Sequence, residues 1–246
     1  MKNLNFLKEW QIAHRGLHNN NNKIPENSII AYKEAINKNY AIELDITFLT
    51  DGSIVCFHDD NLLRMTGVDL EIKTCNLNTV KDLKLLNTDE IIPLFEDLLR
   101  LVDGKVPLLI EIKQNRNFKT FFKNLTTLLD NYDGEFAIFS FNPLVLSILK
   151  KYRKNYIRGQ ITSYFNELST MSKPLKYLMK SLFFNHFTKP DFISYNIDNL
   201  PNKYADKAKK KGLTVISYTA KNQNDYDLAL KHYDNIVFEG FIPLKK

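Results

Sequence analysis

Residues 47–55 read Thr-Phe-Leu-Thr-Asp-Gly-Ser-Ile-Val, and the Asp51-Gly52 pair at their centre decides the fold. Asp-Gly between two apolar runs is a strong hairpin signal, because both residues tolerate the positive φ of a tight turn. The run 53–58 (SIVCFH) is therefore predicted to pair antiparallel with 41–47 (AIELDIT). Further strand-like runs lie at 11–15, 107–113, 136–140, 157–161, 191–195, 213–218 and 235–238. Helical patterns fill the gaps at 27–38, 116–131, 142–152, 201–211 and 222–231, several entered through Asn or Pro. Strand and helix in alternation argue for a parallel sheet with helices outside it. Nine runs less the return strand of the hairpin leave eight, which a (β/α)8 barrel requires.

The hairpin also predicts a geometry. With Asp51 and Gly52 as the two central turn residues, Thr50 faces Ser53 and Asp45 faces His58. Glu43, two residues before Asp45, shares that face, so two carboxylates and an imidazole are expected to converge. Residues 59–106 are longer than a barrel crossover needs. Their leucines, among them Leu83, Leu85, Leu86, Leu94, Leu98 and Leu99, predict several short helices, inserted after the second strand and its hairpin. Such a segment either shapes the barrel mouth or packs as an ordinary insertion.

Composition bounds the class. A chain of 246 residues suits one barrel domain over 1–246, with 59–106 as an insertion within it. At 44% hydrophobic and 12% aromatic residues with mixed charge, it is not a disordered chain. No run of about 18 apolar residues exists to span a membrane, and the start MKNLNFLKEWQIAHRG lacks the apolar stretch of a signal peptide. A cytoplasmic location is expected. Cys56 and Cys75 are too few for a disulfide scaffold or a thiolate metal site. The net charge of +6 is spread over helix faces without a nucleic-acid motif, so no nucleic-acid partner is expected. Residues 173–189, KPLKYLMKSLFFNHFTK, read as a basic amphipathic helix. Three uses fit it: packing on the barrel, peripheral contact with an anionic membrane, or a contact between two copies of the chain. The sequence leaves monomer and homodimer both open.

Glu43, Asp45 and Glu111 interrupt strands otherwise built of Ile, Leu, Val and Phe. Buried charge is costly unless it is paired or binds a metal, and strand ends form the active-site face of a barrel. Three carboxylates without nearby cysteines make a hard oxygen site suited to Mg²⁺ or Ca²⁺. His14 follows the first strand and His58 ends the hairpin, so the two suggest an acid and base pair. Arg15 and Lys113 supply the fixed positive charge that phosphate recognition uses. Glu26-Asn27-Ser28 after Pro25 reads as a helix start, with a second role in orienting groups at the mouth as the alternative. His18, His186 and His232 are assigned to loop, packing and helix capping.

His14-Arg15-Gly16, Pro25-Glu26-Asn27-Ser28, Glu43-Leu44-Asp45, Asp51-Gly52 through Phe57-His58-Asp59, Leu62 with Arg64, Thr66 and Gly67, and Glu111-Ile112-Lys113 resemble the glycerophosphodiester phosphodiesterases in order and spacing. The resemblance continues through Ser140-Phe141 and Val215 to Thr219, nearly the whole chain. It implies a TIM barrel, a divalent metal on Glu43, Asp45 and Glu111, His14 and His58 as acid and base in either order, and Arg15 and Lys113 on the phosphate. It also implies a substrate pocket that includes Phe141 and Tyr218. Tyr218 departs from the Trp usual there, and Phe238-Glu239 from a common Thr-Asp pair. The implied reaction is hydrolysis of small glycerophosphodiesters, such as glycerophosphocholine, to glycerol 3-phosphate and an alcohol. A phospholipase acting on intact lipid and a non-catalytic glycerophosphodiester sensor are the alternatives.

Overall fold

The computed structural model describes residues 2–113 and 118–244. Two units divide the chain, Ile12–Phe136 and Met1–Gln11 with Ala137–Lys246.

The first unit holds β1 (Ile12–Ala13), β2 (Ala41–Phe48), β3 (Ile54–Cys56) and β4 (Leu108–Ile112). β1 and β4 both pair parallel with β2, and β3 pairs antiparallel with it. Every residue of β2 is buried, as expected of a strand covered on both faces. The hairpin register differs from the expectation by one residue. Leu49 and Ser53 pair, with the Leu49 amide donating to Ser53 at 2.9 Å, so the loop has three residues and Gly52 takes its last position at φ +95°. This is the three-residue hairpin, in which a residue in the left-handed region closes a type I turn. Phe57 therefore stands opposite Asp45, its amide donating to the Asp45 carbonyl at 3.1 Å, and His58 lies one residue further on.

Residues 59–106 form the short helices Leu63–Thr66, Ile72–Thr74 and Leu77–Val80, followed by Phe95–Val102. Leu62, Met65, Ile72, Cys75, Val80, Leu85 and Ile92 bury themselves against Leu49, Val55 and Phe57 of the hairpin. The segment thus has its own small core. Phe95–Val102 differs from the shorter helices. It contacts the helix Ile29–Asn37 and β3 and leads into β4, the position of a crossover helix.

The second unit holds β5 (Phe136–Ser140), β6 (Ile157–Thr162), β7 (Phe192–Asn196), β8 (Thr214–Ala220) and β9 (Asn235–Phe238), each parallel to the next. Its helices start where the sequence places them. Asn142, Asn202 and Asn222 accept backbone amides of the first turns of Pro143–Tyr152, Lys203–Lys210 and Gln223–His232, satisfying donors that a helix start leaves unpaired. The helix expected over 116–131 runs from Phe118 to Leu129, and positions 116 and 117 lie outside the described residues.

Residues 173–189 do not form one helix. Lys173–Lys180 and Asn185–Thr188 are separate, because Leu182 adopts a φ of +60°, incompatible with continuing the first. Met179 and Leu182 turn inward, while Leu175, Tyr177, Phe183 and Phe187 stay exposed. Among the described residues no helix is long and apolar enough to cross a membrane.

Candidate active site

Asp45 on β2 and Glu111 on β4 are register partners, so their side chains share one face, and Glu43 joins them two residues back along β2. One oxygen from each carboxylate lies within 4.8 Å of the others. All three are buried. Lys113, just past the end of β4, places Nζ 2.7 Å from Glu111 Oε1 and 3.2 Å from Asp45 Oδ1. Arg15 reaches the same carboxylates from the turn after β1. Its amide donates to Glu43 Oε2 at 3.0 Å, its Nε lies 3.2 Å from Asp45 Oδ2, and its Nη1 donates to Glu26 Oε1 at 2.6 Å.

That turn is tightly determined. Arg15 is left-handed at φ +53°, an uncommon conformation for a side-chain-bearing residue that the surroundings must impose. The next residue is Gly16 at φ +78°, where an added Cβ would stand 2.9 Å from the Ala31 backbone. Gly16 is thus a packing requirement of the turn that carries Arg15. Asn27, also left-handed at φ +53°, donates its amide nitrogen to Asp45 Oδ2 at 3.0 Å, and its Oδ1 accepts from Tyr32 Oη at 3.0 Å. Ser28 caps the following helix through Ala31 N. The Glu26-Asn27-Ser28 stretch therefore both starts a helix and orients site groups.

His14 Nε2 lies 3.8 Å from Glu43 Oε2. His58 is not held opposite Asp45 by the ladder, because the three-residue loop shifts the register. It still lies close enough for its charge to act on Asp45 and Glu111. Burial acts to raise the Asp45 pKa, yet Lys113, Arg15, His58 and His14 together hold it far below the usual carboxylate range. Burial pushes Glu43 well above its ordinary value, helped by the charges of Asp45 and Glu111. Glu111 is likewise raised by burial, against the pull of Lys113. Three buried carboxylates face two fixed cations, and a divalent ion would offset the charges of Asp45 and Glu111 that add to the effect of burial on Glu43. An all-oxygen donor set of this kind fits a hard cation.

Two residues escaped the sequence reading as site residues, Asp59 and Arg64. Asp59 Oδ1 stands 2.7 Å from His58 Nδ1, and Arg64 binds both Asp59 and Glu26. In the second unit, Tyr218 donates its hydroxyl to the Thr162 carbonyl at 3.0 Å. Its ring meets Phe141 edge to face at 6.1 Å, and Phe141 meets Phe165 at 6.0 Å.

Residues 14–236 match the model of the glycerophosphoryl diester phosphodiesterase family. The chain belongs to this family. A glycerophosphodiester phosphodiesterase of Caldanaerobacter subterraneus subsp. tengcongensis is 24% identical over 238 residues, 92% of this chain and 91% of the relative. Lysophospholipase D of Homo sapiens is 28% identical over 167 residues, 63% of this chain and 51% of that protein. Among solved structures, a phosphodiesterase of Oleispira antarctica in complex with the product sn-glycerol-3-phosphate superposes with a TM-score of 0.77 at 21% identity, covering 95% of this chain and 94% of that one. The fold is the (β/α)8 barrel, with the antiparallel β3 and the short helices as additions. The family's reaction, hydrolysis of glycerophosphodiesters to glycerol 3-phosphate and an alcohol, is that of this enzyme.

Proposed function

We propose that this phosphodiesterase works with a divalent cation, Mg²⁺ or Ca²⁺, held by Glu43, Asp45 and Glu111, and with His14 and His58 as its proton-transfer pair. The convergence of three buried carboxylates carries this reading. When bound, such an ion supplies electrophilic stabilisation of phosphoryl oxygens. Arg15 and Lys113 would bind the phosphodiester and stabilise the charge that grows on its equatorial oxygens. One histidine removes the proton of the attacking hydroxyl, and the other protonates the departing alcohol oxygen. The resemblance suggests the adjacent glycerol hydroxyl as the nucleophile, giving a cyclic phosphate that water then opens. Phe141 and Tyr218 are assigned to the substrate pocket. The domain spans 1–246, with 59–106 as an insertion that packs on the hairpin leading to His58. Calorimetric titration of the metal-free protein with Mg²⁺ and Ca²⁺, in the wild type and in Glu43→Gln, tests the metal assignment. Equal affinity in both proteins would overturn it.

A specific observation favours a second reading, cleavage of a lipid that keeps an acyl chain. An apolar pocket of about 420 Å³ lies in the second unit, walled by Phe141, Phe165, Leu168, Leu175, Met179 and Phe184. The similarity to lysophospholipase D points the same way. Residues 173–189, which supply Leu175, Met179 and Phe184 of that wall, carry four lysines and no acidic residue, which suits peripheral contact with an anionic membrane. A cytoplasmic location accords with Cys56 and Cys75, both buried and unbridged. Rates on glycerophosphocholine and on its single-chain lysolipid would rank the two substrates.

A further inference from the structure

Arg64 stands on the four-residue helix Leu63–Thr66, the first helix of the inserted segment, and its side chain is 46% exposed. An exposed arginine in a salt bridge ordinarily adds little stability. Its geometry is nevertheless closely specified. Nε donates to Asp59 Oδ2 at 2.6 Å and Nη2 to Asp59 Oδ1 at 3.0 Å, while Nη2 and Nη1 donate to Glu26 Oε1 and Oε2 at 2.6 and 3.0 Å. One guanidinium thus grips two carboxylates, each by both oxygens, a fixed orientation that lysine cannot reproduce.

Each carboxylate in turn holds a site residue. Asp59 Oδ1 meets His58 Nδ1 at 2.7 Å, and Glu26 Oε1 accepts from Arg15 Nη1 at 2.6 Å. Asn21 also donates to Glu26, at 2.8 Å. The line runs from His58 through Asp59, Arg64 and Glu26 to Arg15, with charges alternating from Asp59 onward. Burial acts to raise both acids, but hydrogen bonds from His58 and Arg64 hold Asp59 far down, and those from Arg64 with the Arg15 charge hold Glu26 at about 2. An ionised Asp59 only accepts hydrogen bonds, so His58 must present its proton at Nδ1 and leave Nε2 for the substrate.

We propose that Arg64 is a positioning residue, which through Asp59 fixes the tautomer and orientation of His58 and through Glu26 fixes the guanidinium of Arg15. The inserted segment then does more than pack on the hairpin. It ties the proton-transfer residue and the phosphate-binding residue to a single clamp. This inference rests on the reading of His58 as acid or base.

The test uses full-length, metal-loaded protein and the variants Arg64→Ala, Arg64→Lys and Asp59→Asn. Turnover of a glycerophosphodiester and the ¹⁵N chemical shifts of the histidine rings are both measured. Asp59→Asn is expected to lower kcat on the order of 10–100-fold with KM nearly unchanged. Arg64→Ala should lower kcat similarly and also raise KM, because Arg15 loses its orientation. Arg64→Lys should recover the melting temperature but not kcat. The double variant Asp59→Asn/Arg64→Ala should lose little more kcat than Asp59→Asn alone, as residues acting in one line do. The His58 shifts should move from an Nδ1–H tautomer to a mixture in all three single variants. Wild-type kcat and an unchanged His58 tautomer in folded Arg64→Ala and Arg64→Lys would overturn the proposal. Absence of turnover in the wild type would instead defeat the acid–base reading, and the ring shifts would still judge the clamp.

Discussion

The strands of the unit Ile12–Phe136 bury Glu43, Asp45 and Glu111, whereas those of the other unit bury neutral groups such as Ser140, Gln160, Thr162, Ser194, Ser217 and Asn235. The neutral groups largely serve the backbone around them. Gln160 donates to the carbonyls of Ser140, Phe141 and Ile161, Thr162 to that of Met179, and Asn235 to those of Leu7 and Trp10. Arg158, the charged exception, begins β6 beside Asp191, at the strand end where a barrel carries stability rather than chemistry. The carboxylates behave differently. The three converge on only two cations, Arg15 and Lys113, and it is this imbalance that the proposed metal ion would meet. Polar groups buried in strands are thus of two kinds, and local charge balance tells them apart.

The comparison can be broken most sharply at the histidines. His14→Ala and His58→Ala are expected to lower turnover by about 10²–10⁴-fold each, with far-ultraviolet circular dichroism unchanged. Near-normal rates in both would remove the first unit's claim to the chemistry. Next in size is metal affinity. Glu43→Gln should weaken Mg²⁺ or Ca²⁺ binding by more than the roughly 10–100-fold that loss of an outer-shell partner costs, read by calorimetry.

In the other unit the expected effect is on stability alone. Asn235→Ala strips donors from the Leu7 and Trp10 carbonyls and should cost about 1–3 kcal/mol in urea denaturation, with kcat and KM unchanged. A large loss of kcat there would blur the distinction. The smallest effect concerns acid. Glu26 titrates at about 2 in the fold against its ordinary 4.5, so the stability it contributes is complete above about pH 4.5 and is lost as pH falls toward 2. Glu26→Gln should flatten that part of the acid-unfolding curve, measured by intrinsic fluorescence. An identical acid limb in the variant would mean that Arg64 and Arg15 do not hold the carboxylate down.

Much of the fold was legible because the strand and helix periods alternate cleanly, and because three acids stand out in apolar strands. The hairpin was located by Asp51-Gly52 but misregistered by one residue. Asp-Gly serves two-residue and three-residue loops alike, and only the pairing of Leu49 with Ser53 distinguishes them. The break within 173–189 was hidden, since nothing in Leu182 announces a left-handed backbone. Arg64 was hidden for another reason. Its partner Glu26 is 38 residues away, and such a pairing exists only once the inserted segment has folded against the turn that carries Arg15.

The most direct test of the central claim is release of glycerol 3-phosphate from a panel of glycerophosphodiesters, with EDTA present and after Mg²⁺ or Ca²⁺ is restored. The account predicts that EDTA abolishes release and that one of the two ions restores it. Full activity in EDTA, from protein shown to be free of metal, would contradict it.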